Sequence, residues 1–216
     1  MSKCLVIVLV PLWIVTSAIG QDKKPLADAG VSICSENAGG GMSAWVTSPK
    51  GFSAAVELRR RITGAGAKRR CTTSWVLHVR RQKGAPRTAV LAEREDVPEN
   101  NEWIQENSFW VDAWSPDGNM ILTSQIEAQG DWDETTPVVY DFRSGKYWRI
   151  ELHALFEKHI PPDCYVVYRP RGFGENGTVV IWASSTDDDR EEGTKPCFPE
   201  STWRLDFRTG TLFRQD

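Results

Sequence analysis

The feature that most constrains this chain is a tight polar turn that recurs before a run of strand-forming residues. In "WSPDGNMILTSQ", Trp114 to Gln125, Ser115-Pro116-Asp117-Gly118 precedes such a run, and "PVVYDFRSGKYWRIEL" follows after a polar interval. The same order appears earlier: Ser48-Pro49-Lys50-Gly51 lies within "AWVTSPKGFSAAVELRRR", and "SWVLHVRRQKGAPRTAVL" comes after it. It appears again later, where Glu175-Asn176-Gly177 lies within "YVVYRPRGFGENGTVVIWASS" and "STWRLDFRTGTLFRQ" follows. The turn glycines Gly51, Gly118 and Gly177 fall 67 and 59 residues apart. Self-similarity at such spacing signals a repeat architecture.

Each unit reads as four short β-branched and aromatic runs separated by Gly, Pro, Asn and Asp turns, which predicts an antiparallel meander. Three units predict about twelve strands. The closest late match is "VYDFRSGK" in the second unit against "RLDFRTGT" in the third, while "VLHVRRQKG" in the first is degraded and longer. The expected class is all-β, with three antiparallel four-stranded repeats at about 42–94, 107–152 and 163–216 in one domain spanning 21–216. Only "ELHALFEKHIPP" reads as helix. Leu152, Leu155, Phe156 and Ile160 share a face, and Pro161-Pro162 ends it.

The repeats also order the cysteines. Cys71 lies twenty residues after Gly51, and Cys197 lies twenty after Gly177; Cys34 and Cys164 each precede the first strand of their own unit. Four cysteines allow three pairings. The economical one is Cys34–Cys71 and Cys164–Cys197, one bridge inside each outer repeat.

"WSPDGNMILTSQ" followed by "VVYDFRSGKYWRI" resembles the WD40-like propeller repeat of the TolB type, with its Ser-Pro-Asp-Gly hairpin and later Tyr-Asp…Ser-Gly-Lys turn. The resemblance runs over Trp114 to Ile150, in part over Val166 to Arg214, and weakly over Trp45 to Leu91. It implies propeller-like blades used as interaction surfaces and carries no catalytic residues. Propellers typically have about four to eight blades, so three depart from the pattern. The sheets then stay open, close as a threefold barrel, or form six blades from two chains. The alternative fold is a β-trefoil-like threefold barrel.

The opening "MSKCLVIVLVPLWIVTSAIGQDKKP" has Lys3, an apolar run from Cys4 to Val15, and small residues at Ala18-Ile19-Gly20. That is the layout of a cleaved secretory signal over 1–20. The run is shorter than the ~20 apolar residues a spanning helix needs, so no membrane insertion is expected once the signal is removed. Export to a periplasmic or extracellular compartment makes disulfides the default state of cysteine. Removing residues 1–20 takes one Lys, leaving 25 basic against 29 acidic residues and a net charge of −4. That balance argues against nucleic acid as a partner.

The charge is unevenly spread. Residues 50–94 hold twelve Lys/Arg and two acids, whereas 95–216 hold eleven Lys/Arg and 24 acids. This polarity either neutralises itself between adjacent repeats or presents faces for self-association or for a charged partner.

The enzyme-like motifs dissolve on inspection. "GFGENG" gives Gly172-x-Gly174-x-x-Gly177, but the strand-like "TVVIWASS" follows where a dinucleotide site needs a helix. "GAGAK" at Gly64 to Lys68 lacks the Gly-Lys-Ser/Thr close of a P-loop. His153 and His159 stand about 240° apart on a helix and do not share a face. No Gly-x-Ser-x-Gly elbow and no His-Glu-x-x-His occurs. Asp141 and Asp206 occupy equivalent places, roughly matched by His78, and Asp before Ser-Gly or Thr-Gly is read as capping its own turn.

The candidate binding residues sit in the polar intervals. "GDWDETT" supplies Asp131, Trp132, Asp133 and Glu134, and "STDDDREEGT" supplies Asp187, Asp188 and Asp189. Clustered carboxylates are ligands of the kind Ca²⁺ takes, but a full calcium-loop spacing is absent, so the ordinary reading is a solvated loop with no cofactor. Trp103 and Trp132 are read as lying in polar loops, where a Trp can stack on a sugar or a partner side chain. Trp45, Trp75, Trp110, Trp114, Trp148, Trp182 and Trp203 are read as strand residues that pack. Asn176-Gly177-Thr178 is a formal glycosylation sequon.

The resulting expectation is a non-catalytic exported protein-interaction module whose partner is another protein or a second copy in a homodimer. The competing expectation is a glycan-binding or glycan-processing protein that uses the loop Trp residues and acidic loops. Two carboxylates about 5–10 Å apart beside an exposed Trp in a cleft favour the second.

Overall fold

The computed structural model describes residues 40–64, 70–81, 86–96, 107–129, 132–185 and 196–215. These form three antiparallel sheets. The first holds β1 (Gly41–Met42), β2 (Val46–Thr47), β3 (Phe52–Thr63), β4 (Arg70–Arg81) and β5 (Arg87–Asp96). The second holds β6 (Asn107–Trp114), β7 (Met120–Gln129), β8 (Trp132–Asp141) and β9 (Tyr147–Arg149). The third holds β10 (Val166–Phe173), β11 (Val179–Ser185), β12 (Ser201–Asp206) and β13 (Thr211–Gln215). Strand order follows the chain in every sheet, with β1 and β2 both pairing with β3. The all-β, three-repeat reading therefore holds. None of the three sheets closes on itself, which removes the β-trefoil-like threefold barrel.

The first repeat has a split opening strand. Ser43 Oγ accepts the Val56 N–H at 2.9 Å, where a ladder carbonyl would otherwise act, while Ser43 N–H donates to the Val56 carbonyl. Three residues, Ser43 to Trp45, thereby fill the space between the Met42↔Glu57 and Val46↔Ala54 pairs, a local bulge. Trp45 sits in this interruption rather than on a strand, with the Arg80 guanidinium 3.8 Å over its ring.

The sheets stack face to face, with the second in the middle. Met120, Ile121 and Leu122 are consecutive and all buried, as are Val138 and Val139. Alternating side chains point to opposite faces, so a continuous buried run marks a strand covered on both sides. Ile121 and Val138 join Val56, Trp75, Leu77, Phe109 and Val111 in the core against the first sheet. Met120, Leu122 and Val139 join Val179, Ile181, Trp203 and Leu205 in the core against the third. Each fully buried aliphatic contributes about 1.5–3 kcal/mol. The third sheet alternates instead: in β11, Val179, Ile181 and Ala183 are buried while Val180, Trp182 and Ser184 are partly exposed.

A short helix, α1 (Leu152–Phe156), runs into a 3-10 turn at Glu157–His159 and plugs the gap between the second and third sheets. Leu152 and Phe156, one helical turn apart, are buried. The Phe156 ring lies 4.7 Å from Tyr168 and 5.1 Å from Trp203. The disulfide Cys164–Cys197 joins the segment before β10 to the segment before β12, as the spacing predicts. Cys71 is fully buried within β4, and Cys34 lies outside the described residues. No helix among the described residues is long and apolar enough to cross a membrane.

The three turns are one structural device. Gly51, Gly118 and Gly177 have φ of 76°, 62° and 71°. In the first two, the Ser hydroxyl accepts backbone N–H groups: Ser48 from Phe52 at 3.0 Å, and Ser115 from Met120 at 2.8 Å. The third has no Ser and replaces it with a 3-10 turn at Glu175–Gly177, closed by Gly174 N–H to the Thr178 carbonyl. β11 follows it directly, so the glycine-rich stretch is a turn into a strand.

Candidate functional site

The stacked sheets present two unlike ends. All three glycine turns and the C-terminal ends of β4, β8 and β12 lie at one end, here the turn end. Lys50 of the first turn reaches the second, donating from Nζ to Asn119 Oδ1 at 3.4 Å. Met120 at the second turn approaches Gly177 of the third. Among the described residues, seven cations at this end are exposed: Lys50, Arg80, Arg81, Arg87, Arg143, Lys146 and Arg208. Four of the guanidiniums lie against aromatic rings, Arg80 over Trp45 at 3.8 Å, Arg81 over Phe52 at 4.8 Å, Arg87 over Phe142 at 5.4 Å and Arg208 over Phe207 at 4.5 Å. A ring under the guanidinium plane holds the cation in place while its edge stays free to donate.

The aspartates at the turn end serve their own turns. Asp141 Oδ1 accepts the N–H of Arg143 at 2.8 Å, and its Oδ2 accepts the Ser144 hydroxyl at 2.8 Å. Asp206 Oδ1 accepts the N–H of Arg208 at 3.0 Å. Asp117 accepts the Ser115 hydroxyl at 2.6 Å and the Asn119 N–H at 3.2 Å. The Ser115 hydrogen bond leads the causes that hold the Asp117 carboxyl below its ordinary value, against an opposing effect of burial. At Asp141 burial is the largest single influence and pushes upward, but the bonds from Ser144 and Arg143 together outweigh it and the net shift is down. The turn-capping role read for Asp141 and Asp206 thus holds. His78 is not their counterpart, because it pairs with Ala55 and Thr88 in mid-strand, whereas Asp141 ends β8. A cleft of about 630 Å³ opens between the second and third turns, with Asp117, Glu175 and Arg208 on its walls.

A second cavity, of about 280 Å³, lies at the opposite end between β8, α1 and β10. Glu134, Thr135, Leu152, His153, Tyr165, Val166 and Tyr168 line it. The Tyr168 hydroxyl is buried and has no hydrogen-bond partner. Burial, with a smaller contribution from Tyr165, pushes its pKa well above the ordinary phenol value. A third, polar groove of about 540 Å³ runs along the first sheet, lined by Glu57, Arg59, Arg61 and Glu93 among others. Its carboxylates are already engaged: Glu57 takes the His78 ring at 2.5 Å and the Arg59 Nε at 2.8 Å, and Glu93 takes the Ser74 hydroxyl at 3.0 Å.

Of the residues singled out by sequence, Trp103, Asp131, Asp187, Asp188 and Asp189 lie outside the described residues. Trp132, Asp133 and Glu134 belong to a strand rather than a polar loop. They open β8, and the β7–β8 ladder pairs out to Gln129↔Trp132. Glu134 lines a cavity. His153, Tyr165 and Tyr168 were not singled out as ligand contacts, because a tyrosine in an apolar strand reads as packing. The structure joins them to Glu134 across three elements. None of these three cavities is lined by a tryptophan, and among the described residues no group of three His, Cys, Asp or Glu side chains gathers as a metal site requires.

No protein-family model, no curated protein and no solved structure matches this chain.

Proposed function

We propose that this chain is an exported, non-catalytic β-repeat interaction module, and that its turn end meets an acidic surface on a partner protein. One observation carries the reading: exposed cations, four of them seated on aromatic rings, crowd an end whose aspartates are turned into their own backbone. Complementary charge of this kind speeds encounter and selects partners. The resemblance of the repeats to TolB-type propeller blades supports the same role. The disulfide supports passage through an oxidising compartment.

Site-specific photo-crosslinking tests the proposal. A crosslinker at Arg143 is expected to capture a discrete acidic protein from the exported fraction, while one at Glu151, at the opposite end, captures none. Capture of a second copy of this chain from Arg143 identifies the homodimer as the partner. Equal capture from both positions, or none from either, overturns the assignment of the turn end.

A further inference from the structure

We propose that Arg81 and Arg87 form a site for a phosphate dianion at the seam between the first and second sheets. Arg87 pairs with Val79, and Arg81 follows two residues after Val79 on the same strand. Both therefore lie on one face of the first sheet, diagonal to one another and about 7–8 Å apart at Cα. That face meets the second sheet. Arg81 lies over the Phe52 ring and Arg87 over the Phe142 ring, and those two rings are 5.1 Å apart across the seam. One aromatic pair thus seats both guanidiniums, and both arginines are exposed.

The pair is uncompensated. Among the described residues no carboxylate bonds to either guanidinium, although like charges placed this close repel. Lys50 adds a third cation from the adjoining glycine turn: its Nζ bonds to Asn119, whose carbonyl accepts the Phe142 N–H. The ligand class follows from these charges. A carboxylate carries one charge and matches one guanidinium in a bidentate pair, which leaves the second unanswered. A phosphate dianion carries about −2 and has three acceptor oxygens, so it answers both forks at once. The inference rests on the turn end being the binding surface and names the chemistry of one contact within it.

NMR titration of the purified, oxidised protein tests this, following the Arg Nε–H signals at constant ionic strength. The probes are methyl phosphate and inorganic phosphate, with methyl sulfate and acetate as monoanion contrasts. Methyl phosphate is expected to bind about tenfold more tightly at pH ~7.5 than at pH ~5, because its second ionisation falls at about 6. The facing protein groups do not titrate in that window. Asp117 and Asp141 on the adjoining turns are held below their ordinary values and stay charged, Lys50 and Arg143 stay cationic, and His78 points from β4 to the opposite face. Arg81→Gln and Arg87→Gln are each expected to weaken binding about tenfold, the worth of one charge-assisted hydrogen bond. Arg80→Gln removes the same charge from the same strand but from the other face, where Arg80 lies over Trp45, and is expected to leave binding unchanged. Circular dichroism verifies that all three variants remain folded. Whichever of ester and free ion binds more tightly supports the site and names the source of the dianion. The proposal is overturned if no phosphate binds, if methyl sulfate or acetate binds as tightly, if pH has no effect, or if Arg80→Gln weakens binding as much as the other two. Crosslinking from Arg143 does not use the pair, so the partner surface is judged separately.

Discussion

Lys50 of the first turn lies across Gly118 of the second, with its side-chain carbons 3.2 Å from where a Cβ on Gly118 would stand. The contact links two repeats 67 residues apart at their most similar point. Gly118 has φ of +62°, a conformation that L side chains adopt at a cost of roughly 1–2 kcal/mol. Gly118→Ala is therefore expected to lower unfolding free energy by about that amount or slightly more, read from urea denaturation. An unchanged midpoint contradicts the turn geometry.

The disulfide closes a loop with a sequence separation of 33. On the chain-entropy account this limits the unfolded state and contributes about 3–4 kcal/mol. The double variant Cys164→Ser, Cys197→Ser is expected to unfold at a lower temperature by roughly 6–16 °C, at about 2–4 °C per kcal/mol for a chain of this size. Calorimetry of the oxidised protein against the variant checks this.

Asp141 links the second repeat's hairpin to pH. Its folded carboxyl lies below the ordinary value of 3.8, so the folded state favours the charged form. The resulting stability is fully present above the unfolded value and is lost as pH falls below 3.8 toward the folded one. Asp141→Asn is expected to be less stable than the parent at neutral pH, with the gap closing as pH drops through that window. A gap independent of pH contradicts the charged cap.

The sequence made the repeats legible because their turns need particular residues. A positive-φ glycine and a Ser or Asp that bonds its own backbone leave marks at fixed offsets, and these located the meanders and the Cys164–Cys197 bridge. The split strand at Ser43 to Trp45 was not legible, since a serine hydroxyl replacing a carbonyl follows no periodic pattern. "GDWDETT" read as a loop because its residues are polar, yet ladder pairing with β7 extends β8 out to Trp132. The cavity was hidden for another reason. Glu134, His153 and Tyr168 come together only through packing of β8, α1 and β10, and Tyr168 resembles any core aromatic until its hydroxyl is seen to lack a partner.

The central claim is that the turn end binds an acidic partner. Its most direct measurement is the affinity of the oxidised protein for a fluorescent polyglutamate peptide as salt is raised. Screening shortens from about 8 Å at 0.15 M to about 3 Å at 1 M, so charge-driven binding must weaken across that range. The account predicts such weakening, and loss of binding in the folded double variant Arg143→Glu, Lys146→Glu, whose side chains are exposed. Absent or salt-independent binding, or binding equal in that variant, contradicts it.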